Sequence, residues 1–265
     1  VAFRRQAFGT GHAYYDSDGR KVPGVTTILR DGFPIRLVDW AAKSTAKDAL
    51  ANLDRLAAME REEAYDWLRG APARHRSKAT ARGKDIHSHG EALARDDQTA
   101  HDVPPELIGP VEAYARWLDR RAVAAIHVEC PVINRKWDYC GTFDLVARIG
   151  ETNWLLDIKT GERVFDDAAL QLAAYAHAEA LLVGGLREIE LPRIDRVGIV
   201  HVQPDQVDLL PVDVSDGVWR TFLYVRQVYD YVHGMHPIGE PLPEPPDPDA
   251  PRYRLVKVYD HDDAA

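Results

Sequence analysis

Asp157-Ile158-Lys159 closes the apolar run Trp154-Leu155-Leu156. Side chains two apart on a strand share a face, so Asp157 and Lys159 project together while Ile158 points into the core. Upstream, Thr142-Phe143-Asp144-Leu145-Val146-Ala147 reads as a second strand, and Gly150-Glu151-Thr152-Asn153 as the turn-like link between the two. A hairpin of this kind brings Asp144 near Asp157. Two carboxylates aimed at one point suit a hard divalent cation, Mg²⁺ or Mn²⁺, and the Ile158 carbonyl could add a third oxygen. A cation so held can polarise a phosphodiester, while the Lys159 ammonium orients the water nucleophile and offsets charge on the phosphate oxygens. On an exposed edge strand the same Asp and Lys would be a solvated pair. Here apolar residues lead into them and Thr160-Gly161 follow, which argues for a buried strand end, where a lone carboxylate is costly.

Two helices supply further candidates. Thr80 to Leu93 reads as a helix, with Gly83, His87 and Glu91 spaced four apart on one face. His87 and Glu91 are thus candidate ligands or ligand supporters. Gly83, costing roughly 1 kcal/mol of helix stability relative to Ala, suggests close packing against that face. His89 points elsewhere around the helix. Phe165 to Leu182 is alanine-rich and helical in propensity, with Gln171 and Tyr175 again four apart. Either they pack as a core aromatic and its neighbour, or they reach over the cleft toward a phosphate or nucleotide.

In combination, Gly141-Thr142-Phe143-Asp144, Leu155-Leu156-Asp157-Ile158-Lys159-Thr160-Gly161 and Gln171-Leu172-Ala173-Ala174-Tyr175 resemble the active-site motifs of the PD-(D/E)xK nuclease superfamily, in its RecB-like branch with phage and CRISPR-associated exonucleases. The resemblance covers about residues 78–180. It implies a restriction-endonuclease-like α/β core with a central mixed sheet flanked by helices, here behind a helical N-terminal region. It also implies that His87, Asp144, Asp157 and the Ile158 carbonyl surround one or two Mg²⁺ or Mn²⁺ ions, with Lys159, Asp157 and Asp144 catalytic. Gln171 and Tyr175 would help bind DNA or orient the lysine. Glu129 matches an acidic residue on the preceding strand and stands as site support, as does Glu91. Several RecB-like nucleases carry an iron–sulfur cluster on four cysteines; this chain has only Cys130 and Cys140, so four-thiolate ligation within one chain is ruled out.

The elements that position these residues follow from the rest of the chain. Its 265 residues, 45% hydrophobic and 28% charged, suit one enzyme-sized soluble domain with an appended lobe, and no transmembrane span stands out. No secretory segment opens it, so reduced cysteines and a cytoplasmic location, in a bacterium or a phage-infected host cell, are expected. Cys130 and Cys140 could face each other across a turn near Asn134-Arg135. Net charge is −9, but residues 1–86 carry 16 Lys and Arg against 11 Asp and Glu. The run Arg74, His75, Arg76, Lys78, Arg82 and Lys84, just before His87, could hold a DNA backbone or could be a solvated helix start.

His12 to Leu29 suggests a small hairpin, Asp39 to Leu68 one or two helices, and Pro105–Asp119 another. The sheet opens at Ile126 to Ile133, gains Arg196 to Val202 and Val207 to Val212, and is followed by a helix over Val218 to Val232. From His236 the chain is proline-rich. The expected organisation is a hairpin and helical region over 1–76, the nuclease core over 77–235 and an arm over 236–265.

The function expected is metal-dependent hydrolysis of DNA, foremost by an exonuclease in repair, recombination or phage replication that leaves 5′-phosphates. Rivals are a structure-selective or nicking endonuclease, a non-cleaving nucleic-acid-binding recombination partner and, more remotely, another α/β metal hydrolase. A recombination or helicase protein could act as partner, since no P-loop is present; no membrane partner is expected.

Overall fold

The computed structural model describes residues 3–8, 11–33, 35–95, 103–185, 187–234 and 239; the side chains of residues 35–37, 78–82 and 84 fall outside it. The chain opens with β1 (Arg4–Phe8), β2 (Gly11–Tyr15) and β3 (Lys21–Val22), an antiparallel sheet in that order. Asp16 closes the β2–β3 turn by accepting hydrogen bonds from the Asp18 and Arg20 main-chain N–H groups at 3.0 and 2.9 Å, with Gly19 at φ 82°. Helices α1 (Val25–Gly32), α2 (Ile35–Ala51), α3 (Leu53–Ala57), α4 (Arg61–Arg69) and α5 (Ala71–Ala94) follow, then a 3-10 turn (Pro105–Leu107) and α6 (Ile108–Arg120). The remainder alternates β4 (Ala124–Asn134), β5 (Tyr139–Ile149), β6 (Thr152–Lys159), α7 (Asp167–Ala176), β7 (Ala180–Val183), β8 (Arg187–Glu190), β9 (Arg196–Val202), β10 (Val207–Pro211) and α8 (Asp216–Gly234).

These form an α/β body around one mixed sheet of seven strands, ordered β10-β9-β6-β5-β4-β7-β8. Only β6 and β9 pair in parallel; the other neighbours are antiparallel. The unbroken apolar run of β6 is explained by burial on both faces. Leu155 joins Val25, Ile28, Leu172, Val197 and Phe222 under α1, α7 and α8, whereas Leu156 and Ile158 join Ile86, Tyr114 and Trp117 under α5 and α6. A third cluster, Phe3, Tyr14, Val22, Ile133, Cys140 and Leu182, fastens the N-terminal sheet to the main one. Burying a side chain of Phe or Leu size contributes roughly 1.5–3 kcal/mol, so this sheet is held as part of the body. Helix α5 runs unbroken through residue 76, where the sequence suggested a boundary, and the arm beyond Gly234, apart from Gly239, lies outside the described residues.

Four expectations need correction. The helix expected over Phe165 to Leu182 stops at Ala176. Leu181 and Leu182 are buried in different clusters, an alternation that a strand provides and that pairs β7 with β4 through Val132↔Leu181. The alanine-rich propensity is overridden by that pairing. The hairpin expected over His12 to Leu29 ends at Val22, because Val25–Gly32 is helix α1; β8, adjoining β7, had no counterpart in the sequence reading. Asp39 to Leu68 forms three helices, broken at Asn52 and after Ala57. Finally, Cys130 pairs with Phe143 and Cys140 with Ile133, so the two thiols sit on different rungs and are free.

Candidate active site

The β5–β6 ladder ends at Leu145↔Leu156, so the register sets Asp144 against Asp157 one rung beyond the last pair. On the other side of β5, Glu129 falls between the pairs Val128↔Leu145 and Cys130↔Phe143, opposite Asp144. Three neighbouring strands therefore line up Glu129, Asp144 and Asp157 side by side across the sheet. Glu129 adopts φ 52°, a left-handed conformation costing a side-chain-bearing residue about 1–2 kcal/mol. Such strain is common where a site needs a particular direction.

Where the strands part, side chains take over the main-chain bonds. The Ile158 N–H donates to Asp144 Oδ2 at 2.6 Å. A residue's N–H and C=O leave a strand on the same edge, so the Ile158 carbonyl opens into the same gap. His87 enters it from α5, its Nδ1 3.6 Å from Asp144 Oδ2. Gly83, one turn earlier, permits this approach: a β-carbon there would lie 3.3 Å from Thr160 Oγ1. Burial pushes the His87 imidazole below its ordinary range, with Asp157 and a hydrogen bond to the Ile158 main chain opposing and Lys159 assisting.

Asp157 is buried, with Oδ1 accepting from Gln171 Nε2 at 3.0 Å. Lys159 Nζ stands 2.7 Å from Oδ2 as a close ion pair. A side-chain hydrogen bond to Asp157 is among the causes that raise Lys159. Gln171 also accepts from Lys159 Nζ at 3.2 Å and donates to Tyr175 Oη at 3.1 Å. One amide thus orients carboxylate, ammonium and phenol together. Tyr175 is fully buried against Gly141, where any β-carbon would come within 2.3 Å of its ring; it supports Gln171 from below.

The electrostatics follow from this crowding. Burial, then the neighbouring Asp157, push the Asp144 carboxyl well above the usual carboxylate range, against the pull of Lys159. Burial alone would lower Lys159, but Asp157 and Asp144 outweigh it and raise it, so the ammonium is firmly charged. Glu91 is raised by burial and by Glu129, despite an ion pair to Arg95 at 3.3 Å. As the side chains stand, no trio of His, Cys, Asp and Glu among the described residues closes around a common point as a metal requires.

His87, Glu91, Glu129, Asp144, Asp157, Lys159, Gln171 and Tyr175 line one cleft of about 590 Å³. It also holds residues that sequence reasoning missed: Arg5, His12, Tyr14, Thr142, Asp85 and Ser88. The strand over residues 12–15 and the turn after it were legible, but the second arm is strand only over Lys21–Val22, and nothing in the sequence told where the hairpin docks. The basic run is placed differently. Arg74 is bound to Asp48 at 2.7 Å and stacks on Trp67 at 4.2 Å, and thirteen helical residues separate it from His87, roughly 20 Å along α5. Arg76 is exposed; the side chains of Lys78, Arg82 and Lys84 lie outside the described part. A larger open groove, about 990 Å³ near Glu190, Pro192, Arg196 and Val212, contains none of the site residues.

Fold and site together define an α/β protein with a mixed seven-stranded sheet and a carboxylate-lined cleft over its central strands. The chain matches no protein-family model and no curated protein. Among solved structures, the crystal structure of SSO0001 aligns with 56% of this chain and 74% of its own at 11% identity and a TM-score of 0.29, a likeness too weak to argue from. No helix among the described residues is long and apolar enough to cross a membrane.

Proposed function

We propose that the protein is a divalent-metal-dependent deoxyribonuclease with a restriction-endonuclease-like core, acting foremost as an exonuclease that leaves 5′-phosphates. The observation that carries this reading is the meeting of Asp144, Asp157, Lys159 and the Ile158 main chain where β5 and β6 part. The motif resemblance is what favours DNA as substrate and attack at its ends, in repair, recombination or phage replication, with a helicase or recombination protein as partner.

The residues fit a hard cation. Burial and the like-charged Asp157 push the Asp144 carboxyl up, and Asp157 is itself buried; a positive ion between the two carboxylates would relieve this crowding. Asp144, Asp157, His87 and the Ile158 carbonyl would hold Mg²⁺ or Mn²⁺, a donor set rich in oxygen as these ions prefer. Once bound, the ion supplies polarisation of the scissile phosphate and activation of water. Lys159 offsets negative charge building on the phosphate oxygens and orients the attacking water. Gln171 keeps Lys159 and Asp157 in register.

A time course on labelled linear and covalently closed circular DNA, with Mg²⁺ and Mn²⁺ supplied separately, tests the proposal. Linear DNA is degraded from its ends only when metal is present, and the closed circle persists. Cleavage of the circle would move the assignment to an endonuclease; no metal-dependent cleavage of either would overturn it.

A further inference from the structure

The cleft carries a charge problem that the reacting groups do not solve. Asp85, Glu91, Glu129, Asp144 and Asp157 line it, while its Lys and Arg residues, among those described, are Lys159 and Arg5. Lys159 is committed to Asp157 and Gln171. A nucleic-acid strand brings a phosphate on each side of the one being cut, and these enter a wall of carboxylates.

Arg5 projects into this cleft from β1, on the rung Arg5↔Tyr14. Its contacts to Glu129 and to His12 Nδ1, each 3.3 Å, both run through Nη2, and a guanidinium has five N–H donors in a fixed fork. Because the guanidinium must donate to Nδ1, neutral His12 carries its proton on Nε2 and donates to Tyr14 Oη at 3.0 Å. Tyr14 then donates to Thr142 Oγ1 at 2.8 Å. A directed chain of hydrogen bonds therefore runs from the guanidinium to β5, two residues before Asp144. Its base is the buried cluster of Phe3, Tyr14, Val22 and Cys140.

We propose that Arg5, oriented by Glu129 and the His12–Tyr14–Thr142 chain, binds the DNA phosphate adjacent to the scissile one. Arg5 is a substrate-positioning residue, and the N-terminal hairpin forms one wall of the DNA track. The inference rests on the nuclease reading above. Arginine suits the task because its fork meets two phosphate oxygens at once. Because both existing contacts run through Nη2, Arg5 can stay paired with Glu129 while its other donors meet phosphate.

The experiment is steady-state DNA cleavage with Mg²⁺ over a range of salt concentrations, for wild type, Arg5→Ala and Arg5→Lys. Arg5→Ala is expected to raise KM about tenfold while kcat changes less than threefold. The logarithmic salt dependence of 1/KM should flatten by about 0.7–0.9, the value of one lost phosphate contact. Arg5→Lys should restore the salt dependence but only part of the KM. Unchanged KM and salt dependence in Arg5→Ala, or a loss confined to kcat, would overturn the assignment. An inactive wild-type protein would overturn the nuclease reading and this one with it, whereas an active wild type beside an indifferent Arg5→Ala sinks this inference alone.

Discussion

The Asp144 carboxylate caps the Ile158 main-chain nitrogen at 2.6 Å, just past the last rung joining β5 to β6. That contact turns a hairpin end into a site. It holds Asp144 against Asp157, directs the Ile158 carbonyl into the gap and leaves room for His87 to enter from α5. Two buried carboxylates side by side, with Lys159 in close contact with Asp157 alone, leave Asp144 poorly compensated, and the predictions follow from how that is relieved.

Asp144 should make stability fall with pH in the absence of metal. Its folded pKa lies above the unfolded value of 3.8, so the folded protein holds a proton there that the unfolded chain has lost. The resulting stabilisation is present in acid and disappears as pH rises through the folded pKa. Thermal unfolding in chelator from pH 5 to 8 should show a falling midpoint, and Asp144→Asn a flatter and higher one. A wild-type midpoint that rises over this range as steeply as that of Asp144→Asn would contradict the assignment.

Mn²⁺ should stabilise the wild type and not the carboxylate variants. A cation bound only by the folded state adds about 2.7 kcal/mol at one hundred times its dissociation constant. The unfolding midpoint of wild type should climb with added Mn²⁺ at neutral pH, while those of Asp144→Asn and Asp157→Asn stay flat. Equal shifts in all three would place the ion elsewhere.

Gln171→Ala should act on turnover more than on DNA affinity. The amide touches Asp157, Lys159 and Tyr175 and holds the first two in their working directions. Misplacing reacting groups by about 1 Å costs on the order of 10²-fold in rate. Cleavage kinetics should show kcat reduced by about that factor with KM changed little; a KM effect alone would make Gln171 a DNA contact instead.

Gly141→Ala should unfold more readily whatever the metal content. A β-carbon there would meet the Tyr175 ring at 2.3 Å, and the ring is buried on all sides. Forcing a methyl into such packing costs typically about 1–3 kcal/mol. Chemical denaturation should show a midpoint lowered accordingly, with an unchanged midpoint meaning that the ring has room to move.

The motif strands were legible because their chemistry is local. Apolar runs ending in Asp157 and Lys159, and the turn at Gly150, fixed the hairpin and so the meeting of Asp144 with Asp157. Helical spacing likewise put Gly83 and His87 on one face of α5, and Thr160 turned out to be the neighbour that needs Gly83 small. Long-range pairing was not legible. Nothing local marks Ala180–Val183 as the partner of β4, and alanine content pointed to a helix. Nor does any short-range pattern show that Tyr14 reaches Thr142, 128 positions away, and thereby carries Arg5 and His12 to the cleft. For Arg74 the charge was visible, but its partners Asp48 and Trp67, which come from other helices, were not.

The most direct test of the central claim is the cleavage rate of end-labelled DNA as a function of Mn²⁺ concentration for wild type, Asp157→Asn and Lys159→Ala. Wild type should show a rate that saturates with Mn²⁺ and vanishes in chelator. Both variants should fall by at least about 10²-fold, the loss typical of removing one group that stabilises developing charge. Cleavage that persists in chelator, or variants that cut as fast as wild type at saturating Mn²⁺, would contradict a metal held by Asp144 and Asp157 with Lys159 at its side.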